Sequence, residues 1–150
     1  MKKTSIRLGL AVAFSALLFT ACKKDDEAAP ASLTKESIAG KYKLTDAQIV
    51  PPVGPTYSVY TTYLKECERD DIYTLNTDFS AKYEDAGKAC EGTSPKTTTW
   101  KLEGKNITVQ GGTLEFIGVV NSWDGSTLVI DGGYELGGVT VKIRGTLVKQ

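Results

Sequence analysis

Four carboxylates lie close together in the middle of the chain and are the clearest candidates for acid–base chemistry. Glu66, Glu68, Asp70 and Asp71 all fall within six residues, on either side of Cys67. A glycosidase needs two carboxyl groups flanking one glycosidic bond, so a carbohydrate-active or other hydrolytic enzyme is one hypothesis for this segment. The alternative, which we favour, is a solvated acidic loop without a catalytic role.

Other kinds of site are limited by what the sequence lacks. It contains no histidine, which excludes Ser-His and Cys-His nucleophiles and any His-ligated zinc or iron centre. Calcium could be bound by carboxylates such as Asp70, Asp71 and Asp78, but they do not have EF-hand spacing. The glycine pairs do not link a strand to a helix, as a phosphate-binding loop requires. We therefore predict no catalytic set, no metal and no cofactor.

The first 22 residues have the layout of a secretory signal that ends at a cysteine. Lys2, Lys3 and Arg7 precede the apolar run 8–19, which is too short to span a bilayer comfortably. The stretch 18–22, Leu-Phe-Thr-Ala-Cys, resembles the lipobox of bacterial lipoproteins. That resemblance implies cleavage before Cys22, a diacylglycerol on its sulfur and an acyl chain such as palmitate on its amine. A plain secretory signal is the alternative.

The segment after Cys22 predicts a flexible tether. Residues 23–32 are charged at first, then small and proline-containing, so they cannot bury apolar surface. The run 24–27, Lys-Asp-Asp-Glu, is similar to the acidic export signal of surface lipoproteins in Bacteroidetes. We expect an outer-membrane lipoprotein displayed at the cell surface, or one that faces the periplasm if the run is only a solvated tether.

The predicted compartment determines the expected state of the remaining two cysteines, Cys67 and Cys90. An exported pair in an oxidising space usually forms a disulfide, and we predict that bridge. Free thiols or a two-cysteine metal site are the alternatives.

Charge and length limit the partners and the number of domains. The precursor has 18 basic and 18 acidic residues, and three of the basic ones lie in the signal, so the mature chain has a net charge of −3. This argues against nucleic acid as a partner. We divide the chain into a signal peptide (1–21), a lipidated cysteine with its tether (22–36) and one folded domain (37–150).

Alternation of apolar and polar residues dominates the folded domain and predicts strands with one buried face. Tight turns with glycine, asparagine or aspartate separate the alternating segments. We predict strands at 41–49, 71–77, 80–86, 97–103, 106–110, 113–122, 126–135 and 138–148. A short helix is expected near Thr61 to Cys67. Eight sequential strands favour a small antiparallel up-and-down barrel, with a sandwich as the second choice.

The order of these segments resembles the lipocalin-like lipoproteins of Bacteroidetes over residues 37–148. The residues that carry the resemblance are 38–44 (Ile-Ala-Gly-Lys-Tyr-Lys-Leu), 67–73 (Cys-Glu-Arg-Asp-Asp-Ile-Tyr), 78–80 (Asp-Phe-Ser), Cys90 and 99–102 (Thr-Trp-Lys-Leu). Lipocalins open with Gly-x-Trp, and a late arginine stacks on that tryptophan. Here Tyr42 replaces the tryptophan, and Arg144, the only late arginine, alternates with apolar residues. The resemblance implies a lipocalin-like barrel and, by analogy, an apolar ligand.

Large aromatic residues are the candidates for the barrel interior, namely Tyr42, Tyr73, Trp100, Phe116 and Trp123. An eight-stranded barrel is just wide enough either to be filled by side chains or to hold one small ligand. Because the strands are short, we expect the filled version, and we leave the ligand-binding residues open.

These observations favour a non-enzymatic, lipid-anchored binding or interaction module of the cell envelope. Its partner is expected to be the membrane through Cys22, together with a small apolar ligand or a surface protein or glycan. The alternatives are the hydrolytic enzyme described above and a structural or accessory envelope lipoprotein.

Overall fold

The computed structural model describes residues 31–92, 94–110, 116–136 and 138–150. The predicted signal peptide, the predicted lipidation site Cys22 and the predicted tether up to residue 30 lie outside the described residues. No helix in the described part of the chain combines the length and apolar character needed to cross a bilayer.

The described chain folds almost entirely into strands. In chain order the elements are α1 (Lys35–Ile38), β1 (Gly40–Ile49), β2 (Tyr57–Ser58), α2 (Tyr60–Tyr63), a 3₁₀ turn (Glu66–Glu68), β3 (Ile72–Leu75), β4 (Ser80–Glu84), β5 (Lys96–Glu103), β6 (Asn106–Gln110), β7 (Phe116–Trp123), β8 (Thr127–Leu136) and β9 (Val139–Lys149). Each of the eight predicted strands is present, with bounds that differ by a few residues. The predicted helix is reduced to one turn, α2, and is followed by the 3₁₀ turn.

The strands form one closed antiparallel barrel. Neighbours along the chain pair in sequence from β3 to β9, and β1 pairs with β3 on one side and with β9 on the other. The predicted eight-stranded up-and-down barrel is therefore confirmed. The extra strand, β2, was not predicted. It pairs with the far end of β1 through Gln48 and Ile49, beyond the point where β3 ends.

Alternation along each strand determines which side chains enter the barrel. Leu44 pairs with Leu147, and after a bulge at Thr45 the inward positions continue with Ala47 and Ile49. A second bulge interrupts the pairing of β7 with β8 between Val120 and Ser122. Such bulges increase local strand curvature, which helps a short-stranded sheet to close.

Helix α1 covers one end of the barrel. A capping box between Thr34 and Ser37 starts this helix, and Ile38 at its end is fully buried. Ala31 and Leu33 also pack against the core, so the folded part of the chain extends N-terminal to residue 37. We call this end, where Lys35 of α1 donates a hydrogen bond to the Thr77 carbonyl in the β3–β4 turn, the closed end.

The large aromatic side chains of the core gather at the closed end. The rings of Tyr42 and Trp123 meet edge to face at 6.3 Å, and Trp100 donates a hydrogen bond from Nε1 to the carbonyl of Asn76 at 2.8 Å. The Lys149 ammonium lies 5.6 Å from the Trp123 ring centre and donates to the Ser37 carbonyl at 3.1 Å.

Arg144 does not stack on an aromatic ring at this end. Instead it forms a two-pronged ion pair with Asp131 on the neighbouring strand β8. Lys149, and not the late arginine, therefore provides the cation that lies over a core tryptophan.

The opposite end, which we call the mouth, carries the two long connections of the described chain. These are the β1–β3 connection, residues 50–71, and the β4–β5 connection, residues 85–95. The predicted disulfide, Cys67–Cys90, is present and ties these two connections together, with Cα atoms 5.3 Å apart. Val59 and Tyr60, at the start of α2, pack on a second apolar cluster that contains Ala47 and Ile49.

Candidate functional site

The barrel encloses a cavity of about 270 Å³ between its aromatic closed end and its mouth. Seven of the eight barrel strands contribute to its wall. The lining residues are Tyr42, Leu44, Ala47, Tyr73, Leu75, Ala81, Ile107, Val109, Phe116, Leu128, Ile130, Ile143, Gly145 and Leu147. The expectation that side chains fill the barrel is therefore wrong.

Small inward-facing residues explain why the barrel is hollow at this level. Ala47 and Ala81 are buried and point into the space, and Gly145 pairs with Ala47 across β1 and β9. A methyl group added at Gly145 would only make ordinary contacts, at 3.6 Å from the nearest Leu44 carbon. The large aromatic residues that could have filled the space lie mostly below it, at the closed end.

One wall is shaped by Phe116 packed flat on a pair of glycines. Gly118 and Gly132 are paired across β7 and β8. A Cβ on either glycine would come within 2.6 Å of the Phe116 ring, so both positions must lack a side chain for the ring to lie there. Phe116 is thereby held against the wall and lines the cavity without filling it.

The floor of the cavity is the Tyr42 ring. Its hydroxyl points to the closed end and donates a 2.6 Å hydrogen bond to the carbonyl of Ile38. Burial raises the pKa of Tyr42 to about 12, so the side chain stays neutral at physiological pH. The floor therefore presents carbon to the cavity, because the one polar atom of this side chain already has a partner.

Tyr73 provides the polar rim of the cavity. Its ring packs against that of Tyr83 at 5.7 Å, and the Tyr83 hydroxyl donates a 2.8 Å hydrogen bond to Oδ2 of Asp71. Burial raises the pKa of Tyr73 to about 12, with a further contribution from the negative charge of Asp71. Asp71 is only 2% exposed, and burial raises its pKa too.

Access to the cavity is from the mouth. Tyr73, Val109, Phe116 and Ile143 are half-buried, whereas Tyr42 and Leu128 toward the closed end are fully buried. A ligand that entered between these half-buried side chains would meet apolar carbon as far as the Tyr42 ring.

The predicted interior residues divide between the cavity and the core below it. Tyr42 and Phe116 line the cavity, while Trp100 and Trp123 are buried at the closed end and do not. Tyr73, which was also an interior candidate, lines the cavity as well. Sequence reasoning missed the small residues Ala47, Ala81 and Gly145. The alternation of β1 and β4 places Ala47 and Ala81 on the inward face, but the small size of these side chains is the signal that distinguishes a hollow barrel from a filled one.

The four clustered carboxylates are held by separate structural contacts. Glu66 is exposed and pairs with Lys88 at 3.0 Å, and Glu68 accepts the backbone N–H of Lys65 at 2.7 Å. Asp70 accepts the backbone N–H of Lys88 at 2.9 Å, while Asp71 is buried against Tyr83. None of the four lines the cavity.

Metal binding also has no support among the described residues. They contain no group of three or more cysteine or carboxylate side chains arranged to hold an ion.

Fold and cavity together define a small up-and-down β-barrel with an internal apolar cavity. The family model of the lipocalin-like domain matches residues 38–130, more than half of the chain. The chain therefore belongs to the lipocalin-like domain family. The match ends inside β8, and the structure adds the end of β8 and the whole of β9, which closes the barrel against β1. A comparison with curated proteins gave no match.

Proposed function

We propose that this protein is an envelope lipoprotein that binds a small apolar ligand inside its barrel. The observation that carries the proposal is the 270 Å³ cavity with its apolar wall. Transfer of an apolar molecule from water into an apolar cavity of this kind lowers the free energy, because apolar surface is removed from water. Lipocalin-like proteins are typically binding proteins rather than enzymes, which agrees with this role.

Ligand binding does not require the acidic loop to take part in chemistry. The disulfide and the hydrogen bonds of Asp70 and Asp71 hold the mouth connections in place beside the cavity. We assign these carboxylates a structural role at the mouth, where Asp70 holds the backbone of Lys88 and Asp71 positions Tyr83, whose ring packs on Tyr73.

The envelope location is part of the same proposal. The lipobox-like sequence at Cys22 supports a diacylglycerol anchor, since two or more acyl chains give lasting membrane attachment whereas one gives only marginal binding. The acidic run after it supports display at the surface of the outer membrane.

Filling the cavity tests the binding function. Ala81→Leu adds three carbons to a buried residue of the cavity wall, so we expect ligand to be displaced while the fold is kept. Native mass spectrometry of the protein purified from its own host should show an added mass that disappears in this variant.

Ala89→Leu is the matched control, because Ala89 is an exposed alanine in the β4–β5 connection. It should keep the added mass. Two results would count against binding inside the barrel. One is a wild-type spectrum that shows only the mass of the protein without ligand, and the other is an added mass that is unchanged in Ala81→Leu.

A further inference from the structure

We infer that the cavity selects a compact, neutral ligand of about 10 to 14 non-hydrogen atoms that carries one hydrogen-bonding oxygen, and that it rejects the corresponding carboxylate. This inference rests on the proposed function and names the class of ligand for the same cavity. It combines three features of the cavity, namely its volume, the number of its free polar groups and the sign of the charge at its rim.

Volume limits the size of the ligand. An engineered protein cavity of about 150 Å³ holds benzene, with six carbon atoms. In the same proportion, the 270 Å³ cavity accommodates about 11 non-hydrogen atoms. A two-ring aromatic or a terpenoid of similar size fits, whereas a complete long-chain fatty acid or a four-ring molecule does not.

The wall offers one side-chain polar group to a ligand. Among the described lining residues only Tyr42 and Tyr73 carry a polar side-chain atom, and the Tyr42 hydroxyl already donates to Ile38. The Tyr73 hydroxyl is left for a ligand oxygen at the rim. A second polar group on the ligand would be buried against carbon without a partner, which is unfavourable.

Charge at the rim excludes an anion. None of the described lining residues is lysine or arginine, so a buried carboxylate would have no counter-ion. The Asp71 carboxylate lies just beyond the wall, because the Tyr83 ring packs on Tyr73 at 5.7 Å and the Tyr83 hydroxyl donates a 2.8 Å hydrogen bond to Asp71. The negative charge of Asp71 also raises the pKa of the Tyr73 hydroxyl. A ligand carboxylate placed at Tyr73 would therefore face a like charge.

Four aromatic probes test the effects of ligand size, hydrogen bonding and charge separately. Naphthalene has the ring system alone, 2-acetylnaphthalene adds a neutral carbonyl, 2-naphthoate is the near-isosteric anion, and pyrene exceeds the cavity. Equilibrium dialysis of the purified protein at pH 7 gives their dissociation constants. We expect 2-acetylnaphthalene to bind at least tenfold more tightly than 2-naphthoate, and pyrene at least tenfold more weakly than naphthalene.

Tyr73→Phe tests the polar contact, because it removes the hydroxyl and keeps the ring that packs on Tyr83. In wild type the hydroxyl should make 2-acetylnaphthalene bind more tightly than naphthalene, and in Tyr73→Phe the ratio of these two affinities should fall about fivefold to tenfold. The matched control is Tyr63→Phe, which removes the hydroxyl of an exposed tyrosine outside the cavity and should leave this ratio unchanged. Thermal unfolding of both variants confirms that they are folded.

The outcomes distinguish the two proposals. Binding of 2-naphthoate as tightly as its neutral analogue, tight binding of pyrene, or an unchanged ratio in Tyr73→Phe overturns the ligand class but leaves an apolar binding protein. If none of the four probes binds, the binding function itself is overturned along with it.

Discussion

Asp131 lies on the outside of the barrel and has polar contacts with three residues of the neighbouring strands. Arg144 donates to both of its oxygens, at 2.7 and 2.9 Å, and Lys142 and Asn121 approach Oδ2 at 2.8 and 3.0 Å. These partners, above all Arg144, hold the pKa of Asp131 well below its usual range. The cluster joins β7, β8 and β9 on the face opposite the cavity, and it keeps Arg144 out of the core.

We predict that Asp131→Asn destabilises the protein by about 1–2 kcal/mol at pH 7, because a partly buried, charge-assisted pair is lost. A carboxyl group with a lowered native pKa contributes stability above its unfolded pKa of about 3.9, and this contribution is lost as the pH falls further. The difference between wild type and variant should therefore shrink below about pH 4. Urea unfolding at several pH values measures it.

Glu84→Gln is the control for this prediction, since Glu84 pairs with Lys82 across exposed side chains. Its effect should stay below about 0.5 kcal/mol. A cost for Asp131→Asn that stays constant down to pH 2 would show that the lost stability does not come from the charge.

At the scale of elements, the mouth depends on a covalent link between two connections that have little regular structure. The Cys67–Cys90 bridge joins the 3₁₀ turn that precedes β3 to the loop between β4 and β5. The backbone N–H of Cys90 also donates to Asp85 at 2.9 Å. The disulfide thus ties the segment just before β3, the strand of Tyr73, to the β4–β5 loop, and the hydrogen bond to Asp85 holds Cys90 within that loop.

Replacing both cysteines by serine should lower the free energy of unfolding by about 2–4 kcal/mol, because the bridge closes a loop over a separation of 23 residues. Thermal and urea unfolding give the size of the loss. A reducing agent should destabilise the wild type by a similar amount and leave the double variant unchanged. Equal stability of oxidised wild type and double variant would contradict a stabilising role for the bridge.

The strands and helices that could be predicted from the sequence are those that are long enough to show a clear alternation of apolar and polar residues. The eight barrel strands have clear alternation, as in β5 with Trp100 and Leu102, and their order along the chain was enough for the up-and-down topology. Two elements were missed. Helix α1 is only four residues long, and β2 has two residues just after a proline-rich loop, too short for any period to show.

The site was less predictable than the fold because it depends on packing. Alternation shows that Ala81 and Trp100 both face inward, but not that one lies at the cavity and the other at the closed end. The hollow space arises where small residues on neighbouring strands come level with each other. Strand register decides this, and a single bulge such as the one at Thr45 shifts it.

At the scale of the whole molecule, the membrane anchor remains a prediction from sequence. Replacing Cys22 with Ala removes the sulfur that would carry the diacylglycerol, so we expect the protein to move from the membrane fraction to the soluble fraction. Immunoblots of fractionated cells measure the shift, and Cys67→Ala serves as the control that removes a different cysteine. Unchanged membrane binding of the Cys22 variant would contradict lipidation.

The direction in which the protein faces needs a second measurement. Protease treatment of intact cells should remove the domain if residues 24–27 direct it to the surface. Full protection in intact cells, together with digestion after the outer membrane is opened, would place it in the periplasm.

The place where the chain enters the barrel sets how an anchored molecule would present itself. Ala31 packs against the core beside Gly125 in the β7–β8 turn, at the closed end. The nine residue steps from Cys22 to Ala31 reach at most about 30 Å. If Cys22 is lipidated, this short connection would place the closed base of the barrel toward the bilayer and its entrance toward the surrounding fluid. Such a protein would take its ligand from the surrounding fluid. It would not extract lipid from the membrane leaflet that holds its anchor.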